Sequence, residues 1–209
     1  MKRLISIVCM VTIIAVTGTD LARAASVSSN AIPVSASIAN TLSLDVVLKQ
    51  NITTGATLAS ANFGTLQPLV QANGSKTLRS STTGSTGTGA VVVMVSGTFN
   101  GGTPYNITSA GTQLTSGANA LPGGACAIVP TYNAADNGGA VLVGVVGASG
   151  TWTNAAAKTL YTSNATGSAR TITCFMSITD DPAAGATAAV PFDQAAGNYN
   201  GTITFTITA

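Results

Sequence analysis

Ile203, Phe205 and Ile207 alternate with Thr202, Thr204, Thr206 and Thr208 at the end of the chain. Successive side chains of an extended strand point to opposite faces, so this order puts three apolar groups on one face and four hydroxyls on the other. The same two-residue period runs through Ile32, Val34, Ala36 and Ile38, through Leu42, Leu44, Val46 and Leu48, and through Ile172, Cys174, Met176 and Ile178. No segment carries a convincing 3.6-residue period. Ala90-Val91-Val92-Val93-Met94-Val95 is apolar on both faces and rich in β-branched residues, which predicts a central strand. Ala61-Asn62-Phe63-Gly64-Thr65-Leu66 predicts a short strand ended by Pro68. Further strands are expected at residues 105–108, 125–132, 141–146, 158–161 and 170–179. Turns are expected at Gly101-Gly102-Thr103-Pro104, Leu121-Pro122-Gly123-Gly124 and Asn137-Gly138-Gly139. Residues 183–189 read as a loop. About ten short strands with turns between them predict one all-β, antiparallel β-sandwich.

Composition narrows the chemistry. Of 209 residues only 7% are charged, none is His, and every acidic residue is Asp. A typical soluble domain carries about 25% charged residues, so this surface is built from Ser, Thr, Asn, Gln and Gly. A net charge of +2 gives no basic footprint for nucleic acid. Without imidazole there is no His-based metal site and no Ser-His-Asp triad.

Residues 1–24 have the form of a cleaved secretory signal peptide. Lys2 and Arg3 precede an apolar run from Leu4 to Val16, and Ala22-Arg23-Ala24 supplies the small-x-small cleavage pattern. The apolar run is short for a membrane span, so no stable span is expected after cleavage. Three of the eight basic residues and one of the six acidic residues leave with the signal, so five of each remain and the mature chain is formally neutral. Neutral proteins lack self-repulsion and associate readily. The mature chain keeps Cys126 and Cys174 in a compartment where disulfides persist. One internal bridge is expected from parity, closing a ring of about 49 residues worth about 4 kcal/mol; two free thiols or an intermolecular bridge are the alternatives. A catalytic thiol is not expected, because no His is present to deprotonate it.

The remaining acids are Asp45, Asp136, Asp180, Asp181 and Asp193. Side chains adjacent along a strand point apart, so Asp180-Asp181 is read as a turn before Pro182 and not as an acid/base pair. The acids lack the spacing of a calcium-binding loop, and neither metal nor cofactor is expected. Trp152 is the lone tryptophan, read as a core or loop anchor before a sugar platform. The expected sites are therefore not catalytic.

An alternating N-terminal segment, a Phe63-Gly64-Thr65-Leu66 segment after a Thr/Gly/Ala loop, and the closing Gly197-Asn198-Tyr199-Asn200-Gly201-Thr202-Ile203-Thr204-Phe205-Thr206-Ile207 together resemble a known pattern. It is that of secreted bacterial pilin-like domains, the chaperone–usher pilins and the spore-coat-protein-U-like domains grouped with them. The chain departs from that pattern in having no cysteine before Cys126 in its mature part and in ending with Thr208-Ala209. The resemblance implies an immunoglobulin-like sandwich lacking one strand. A periplasmic chaperone would fill the gap first, and the N-terminal segment of the next subunit would fill it in the fibre, delivered through an outer-membrane usher. It implies donor side chains at Ile32, Val34, Ala36 and Ile38, with Val27 extending the set. It implies an acceptor groove along the final strand, at Tyr199, Ile203, Phe205 and Ile207.

The expected organisation is a signal peptide at 1–24, an N-terminal extension and candidate donor strand at 25–39, and a β-sandwich domain at 40–209. The expected function is a non-enzymatic subunit of an extracellular fibre, pilus or surface coat with a role in adhesion, exported through the periplasm and partnered by copies of itself. The alternative is a self-complete secreted β-sandwich that binds glycan or a surface protein. A secreted hydrolase stands third, since His and Glu are both absent.

Overall fold

The computed structural model describes residues 40–50, 53–80, 91–153 and 156–209. The expected signal peptide, the donor side chains Ile32, Val34, Ala36 and Ile38, and most of the Ser/Thr/Gly tract after Arg79 lie outside the described residues. By contacts the chain divides into Met1–Ser37 and Ile38–Ala209. Everything below belongs to the second unit.

Its strands, in chain order, are β1 (Leu42–Gln50), β2 (Gln67–Val70), β3 (Lys76–Arg79), β4 (Val91–Phe99), β5 (Asn106–Gly111), β6 (Thr115–Ser116), β7 (Asn119–Ala120), β8 (Cys126–Thr131), β9 (Val145–Val146), β10 (Gly150–Thr151), β11 (Lys158–Thr162), β12 (Arg170–Ile178), β13 (Val190–Pro191) and β14 (Ile203–Thr208). Three 3-10 turns are the only helical pieces among the described residues. The protein is all-β, and every named pairing is antiparallel.

The largest sheet runs β1-β4-β12-β8-β10, and a second runs β14-β5-β11-β9. Their inner faces share one core: Val91, Val93 and Val95 of β4 and Ile172, Cys174, Met176 and Ile178 of β12 meet Ile107 of β5 and Tyr161 of β11. The doubly apolar sequence of β4 follows from its place between β1 and β12, where Val92 on the other face is also fully buried. On β11 the register with β5 shifts between Thr159 and Tyr161. A bulge of this kind turns two consecutive side chains the same way, and both Leu160 and Tyr161 are buried. At Gly97 the sheets come so close that a Cβ would sit 2.9 Å from Cδ1 of Ile207 and 3.0 Å from Cδ1 of Ile107. Glycine there leaves room for both isoleucine tips, so the end of β14 packs down on β4.

A three-stranded sheet, β13-β3-β2, flanks this core. Asp180 fastens it. Its carboxylate accepts from Thr77 Oγ1 at 2.7 Å and from Gln71 Nε2, and lies 3.9 Å from Arg79 Nη1. Asp181 accepts from the N–H of Ala183 and so starts the 3-10 turn Pro182–Ala184, in place of the loop expected there.

Three further sequence expectations are corrected. The segment Phe63-Gly64-Thr65-Leu66 is not a strand; the strand begins at Gln67 and contains Pro68. Proline is tolerated because β2 is an outer strand of its sheet, pairing among the described residues with β3 alone. Residues 141–146 yield only the two-residue β9, with Val141 and Val145 mostly exposed. Cys126 and Cys174 do not form a disulfide: both are free, buried thiols. They lie on neighbouring strands, but Cys126 pairs with Ile178 and Cys174 with Pro130. Four register positions at about 3.3 Å per residue separate them by about 13 Å, and a disulfide needs Cα atoms within about 7 Å.

Candidate functional site

The alternation of β14 has a specific consequence. Its threonines are exposed, while Ile203, Phe205 and Ile207 turn inward and pack against the core, each half-buried. β14 pairs with β5 on one side, and among the described residues no strand pairs with its other side. An unpaired edge presents a row of free N–H and C=O groups.

Beside the start of β14 lies a groove of about 840 Å³. Met176 and Ile178 of β12, Leu114, Leu121, Trp152 and Ile203 are among the residues that line it, together with residues 60–66. Leu114 is fixed by the small β6–β7 hairpin, where the N–H of Leu121 donates to the carbonyl of Leu114 at 2.9 Å. Gly111 makes room for the indole, since a Cβ there would lie 2.7 Å from Trp152 Cε3 and 2.6 Å from its carbonyl oxygen. Trp152 is only 3% exposed. The ring of Phe63 stacks on it with centroids 6.1 Å apart and planes 14° from parallel. The indole N–H is buried and meets no acceptor among the described residues. Tyr199 closes one rim: its hydroxyl donates to the carbonyl of Ala195 at 2.6 Å and accepts from Gln194 Nε2 at 2.8 Å.

Of the acceptor residues expected from sequence, Tyr199 and Ile203 line the groove directly. Phe205 and Ile207 continue along the same face of β14, with Ile207 reaching the close approach at Gly97. Sequence reasoning missed Leu114, Leu121 and the stacking of Phe63 on Trp152. The separate aromatic residues were visible, but their pairing depends on tertiary packing.

The two thiols, Cys126 and Cys174, are buried in the core. Burial pushes Cys126 up to about 12, against a smaller opposing effect from the Thr153 hydroxyl, and burial pushes Cys174 up to about 12. At neutral pH both are protonated and non-nucleophilic. Three of the five described acids are held in structural contacts: Asp136 accepts from Thr173 Oγ1 at 2.9 Å, and Asp180 and Asp181 serve the fastenings given above. Among the described residues no three His, Cys, Asp or Glu side chains come together as a metal site. No helix among them is long and apolar enough to cross a membrane.

In comparisons with known proteins, the chain matches no protein-family model, no curated protein and no solved structure.

Proposed function

We propose that the chain is a non-enzymatic subunit of an exported fibre or surface coat, an immunoglobulin-like sandwich completed by a strand from a neighbouring copy. The observation that carries this reading is the open side of β14. Three inward apolar side chains are half-buried there because no strand pairs with that side among the described residues, and a groove of mixed polar and apolar lining begins at Ile203, the first of them. An added strand would gain main-chain hydrogen bonds along the edge and would place alternate side chains in the groove. Ile32, Val34, Ala36 and Ile38 have the two-residue spacing that such a strand needs. Formal neutrality after signal removal leaves copies free of mutual repulsion. In this reading the protein travels through the periplasm, with a chaperone strand holding the edge until the usher exchanges it.

The glycan-binding alternative gains less. Trp152 is the only tryptophan, and its accessible face is already occupied by Phe63, so no exposed indole platform is left for a sugar ring.

Deletion of residues 25–39 tests the reading. The exported full-length mature chain is expected to give fibres in negative stain and heat-stable oligomers on size exclusion. The deletion variant is expected to remain folded and fail to polymerise. Normal fibre growth by the deletion variant would rule out strand donation from this segment, and loss of its fold would favour a self-complete sandwich.

A further inference from the structure

Residues 60–66 stand out because they form one side of the groove without main-chain bonds to the strands around it. Ala61, Phe63 and Leu66 are half-buried and pack against the core. Yet among the described residues no main-chain group of residues 60–65 bonds a main-chain partner. The contacts they do make are local: the Gly64 N–H donates to Asn62 Oδ1 at 2.8 Å, and Gln67 Nε2 reaches the Thr65 carbonyl at 3.3 Å. Gly64 has φ of +67°, a left-handed turn that breaks the extended run and prevents a ladder with β14. Before this segment the chain is anchored to β1, where the Leu58 N–H donates to the Leu48 carbonyl at 2.9 Å. After it the chain enters β2, paired with β3. The strap is therefore tied at both ends and held beside the groove by side chains alone.

We infer that residues 60–66 are a displaceable strap that covers one side of the acceptor groove of the free subunit and swings away when a strand of a second copy is added. This rests on the strand-addition reading above. The strand that enters the opened groove is the segment around Ile32, Val34, Ala36 and Ile38 of another copy. It lies within the 39 residues that precede Asn40, and it supplies the two-residue apolar alternation that the strap, broken at Gly64, does not sustain. The exchange has a physical direction. The strap shields apolar surface but leaves the β14 edge without main-chain partners and the Trp152 N–H without an acceptor. An extended strand shields the same surface and also satisfies the edge. Being tethered, the strap holds a high effective concentration at the groove, so it slows uptake of a competing strand while the bonded strand is favoured once seated. The stack of Phe63 on Trp152 is the latch of this device.

Two single-cysteine reporters test it, since the native thiols Cys126 and Cys174 are buried. Ala61→Cys reads the strap and Ile203→Cys reads the edge; both side chains are half-buried and line the groove. Each exported full-length chain is labelled with a thiol reagent before and after addition of a synthetic peptide of residues 25–39. The expected result is labelling at 61 at least tenfold faster with peptide and labelling at 203 at least tenfold slower. Protection at 203 with no change at 61 would overturn the strap while leaving strand addition standing. No change at either position would overturn both. Phe63→Ala supplies the kinetic arm: without its latch, peptide uptake followed by Trp152 fluorescence quenching or by protection at 203 should be about tenfold faster. Slower uptake would make Phe63 part of the acceptor wall and would also overturn the strap.

Discussion

β12 and β14 carry the same alternation and end up in different states. In β12, Ile172, Cys174, Met176 and Ile178 are all essentially inaccessible, and the strand is paired with β4 on one side and β8 on the other. In β14, Ile203, Phe205 and Ile207 face the same core and remain half-exposed, with β5 as the only pairing partner among the described residues. The alternation decides which face turns inward. The number of neighbours decides how completely that face is covered. Within the second sheet, the contrast marks the outer side of β14 as an edge with no pairing partner among the described residues.

The largest expected effect lies on the closed strand. Ile172→Ala should destabilise the fold by about 3–4 kcal/mol, the range for a large-to-small change in a packed core, read as a shift of the denaturation midpoint. Next comes alkaline pH. Both thiols are held protonated, with Cys126 and Cys174 at about 12 in the fold, whereas an unfolded thiol titrates near 8.5. Their contribution is therefore complete below about pH 8.5 and is lost as pH rises toward 12. Above pH 9 the loss should be about 1.4 kcal/mol per pH unit for each thiol. Urea midpoints measured from pH 7 to 10.5 check this, and Cys174→Ala should flatten the slope. The same thiols should be unreactive in the native chain and both free in urea; no free thiol in urea would restore the disulfide.

A smaller effect belongs to the closed end of the sheets. The Tyr105 hydroxyl is bonded to the carbonyls of Gly97 at 2.7 Å and Ser168 at 3.0 Å. Burial, reinforced by neighbouring Tyr161, raises its pKa. Tyr105→Phe leaves those carbonyls short of a donor and should cost about 1–2 kcal/mol, seen in thermal unfolding. The smallest effect on monomer stability is expected on the open strand. Phe205→Ala removes a half-covered ring and should cost less than about 1.5 kcal/mol, well below full truncation of a buried aromatic. The same variant should nevertheless lose assembly, since Phe205 lies midway along the inward face of β14. A stability loss equal to that of Ile172→Ala would erase the difference between the two strands.

The strands of the core were legible because alternation and double-sided apolar runs are local signals; β4, β8, β12 and β14 all fall where the pattern puts them. What was not legible depended on pairing. The apolar run at 141–146 lacks a long partner: it follows Gly138 and Gly139, both with positive φ, and Gly144 lies so close to Tyr161 that a Cβ would meet its hydroxyl at 2.5 Å. The disulfide expectation rested on an even cysteine count, and the count carries no information about a register offset of four between β8 and β12. The inward face of β14 was visible in its sequence. The groove beside it was not, because its lining includes Leu114, Leu121 and Trp152, brought together by the β6–β7 hairpin and the close approach at Gly111.

The most direct test of strand donation is a cysteine pair placed across the proposed junction on the outward faces of both strands, Ser35→Cys together with Thr206→Cys in the exported full-length chain, which leaves the inward apolar side chains intact. The account predicts a ladder of disulfide-linked multimers on non-reducing gels that collapses to monomer on reduction, with each single variant giving monomer. A monomer cross-linked only within itself would contradict the account and show that the chain completes its own sheet.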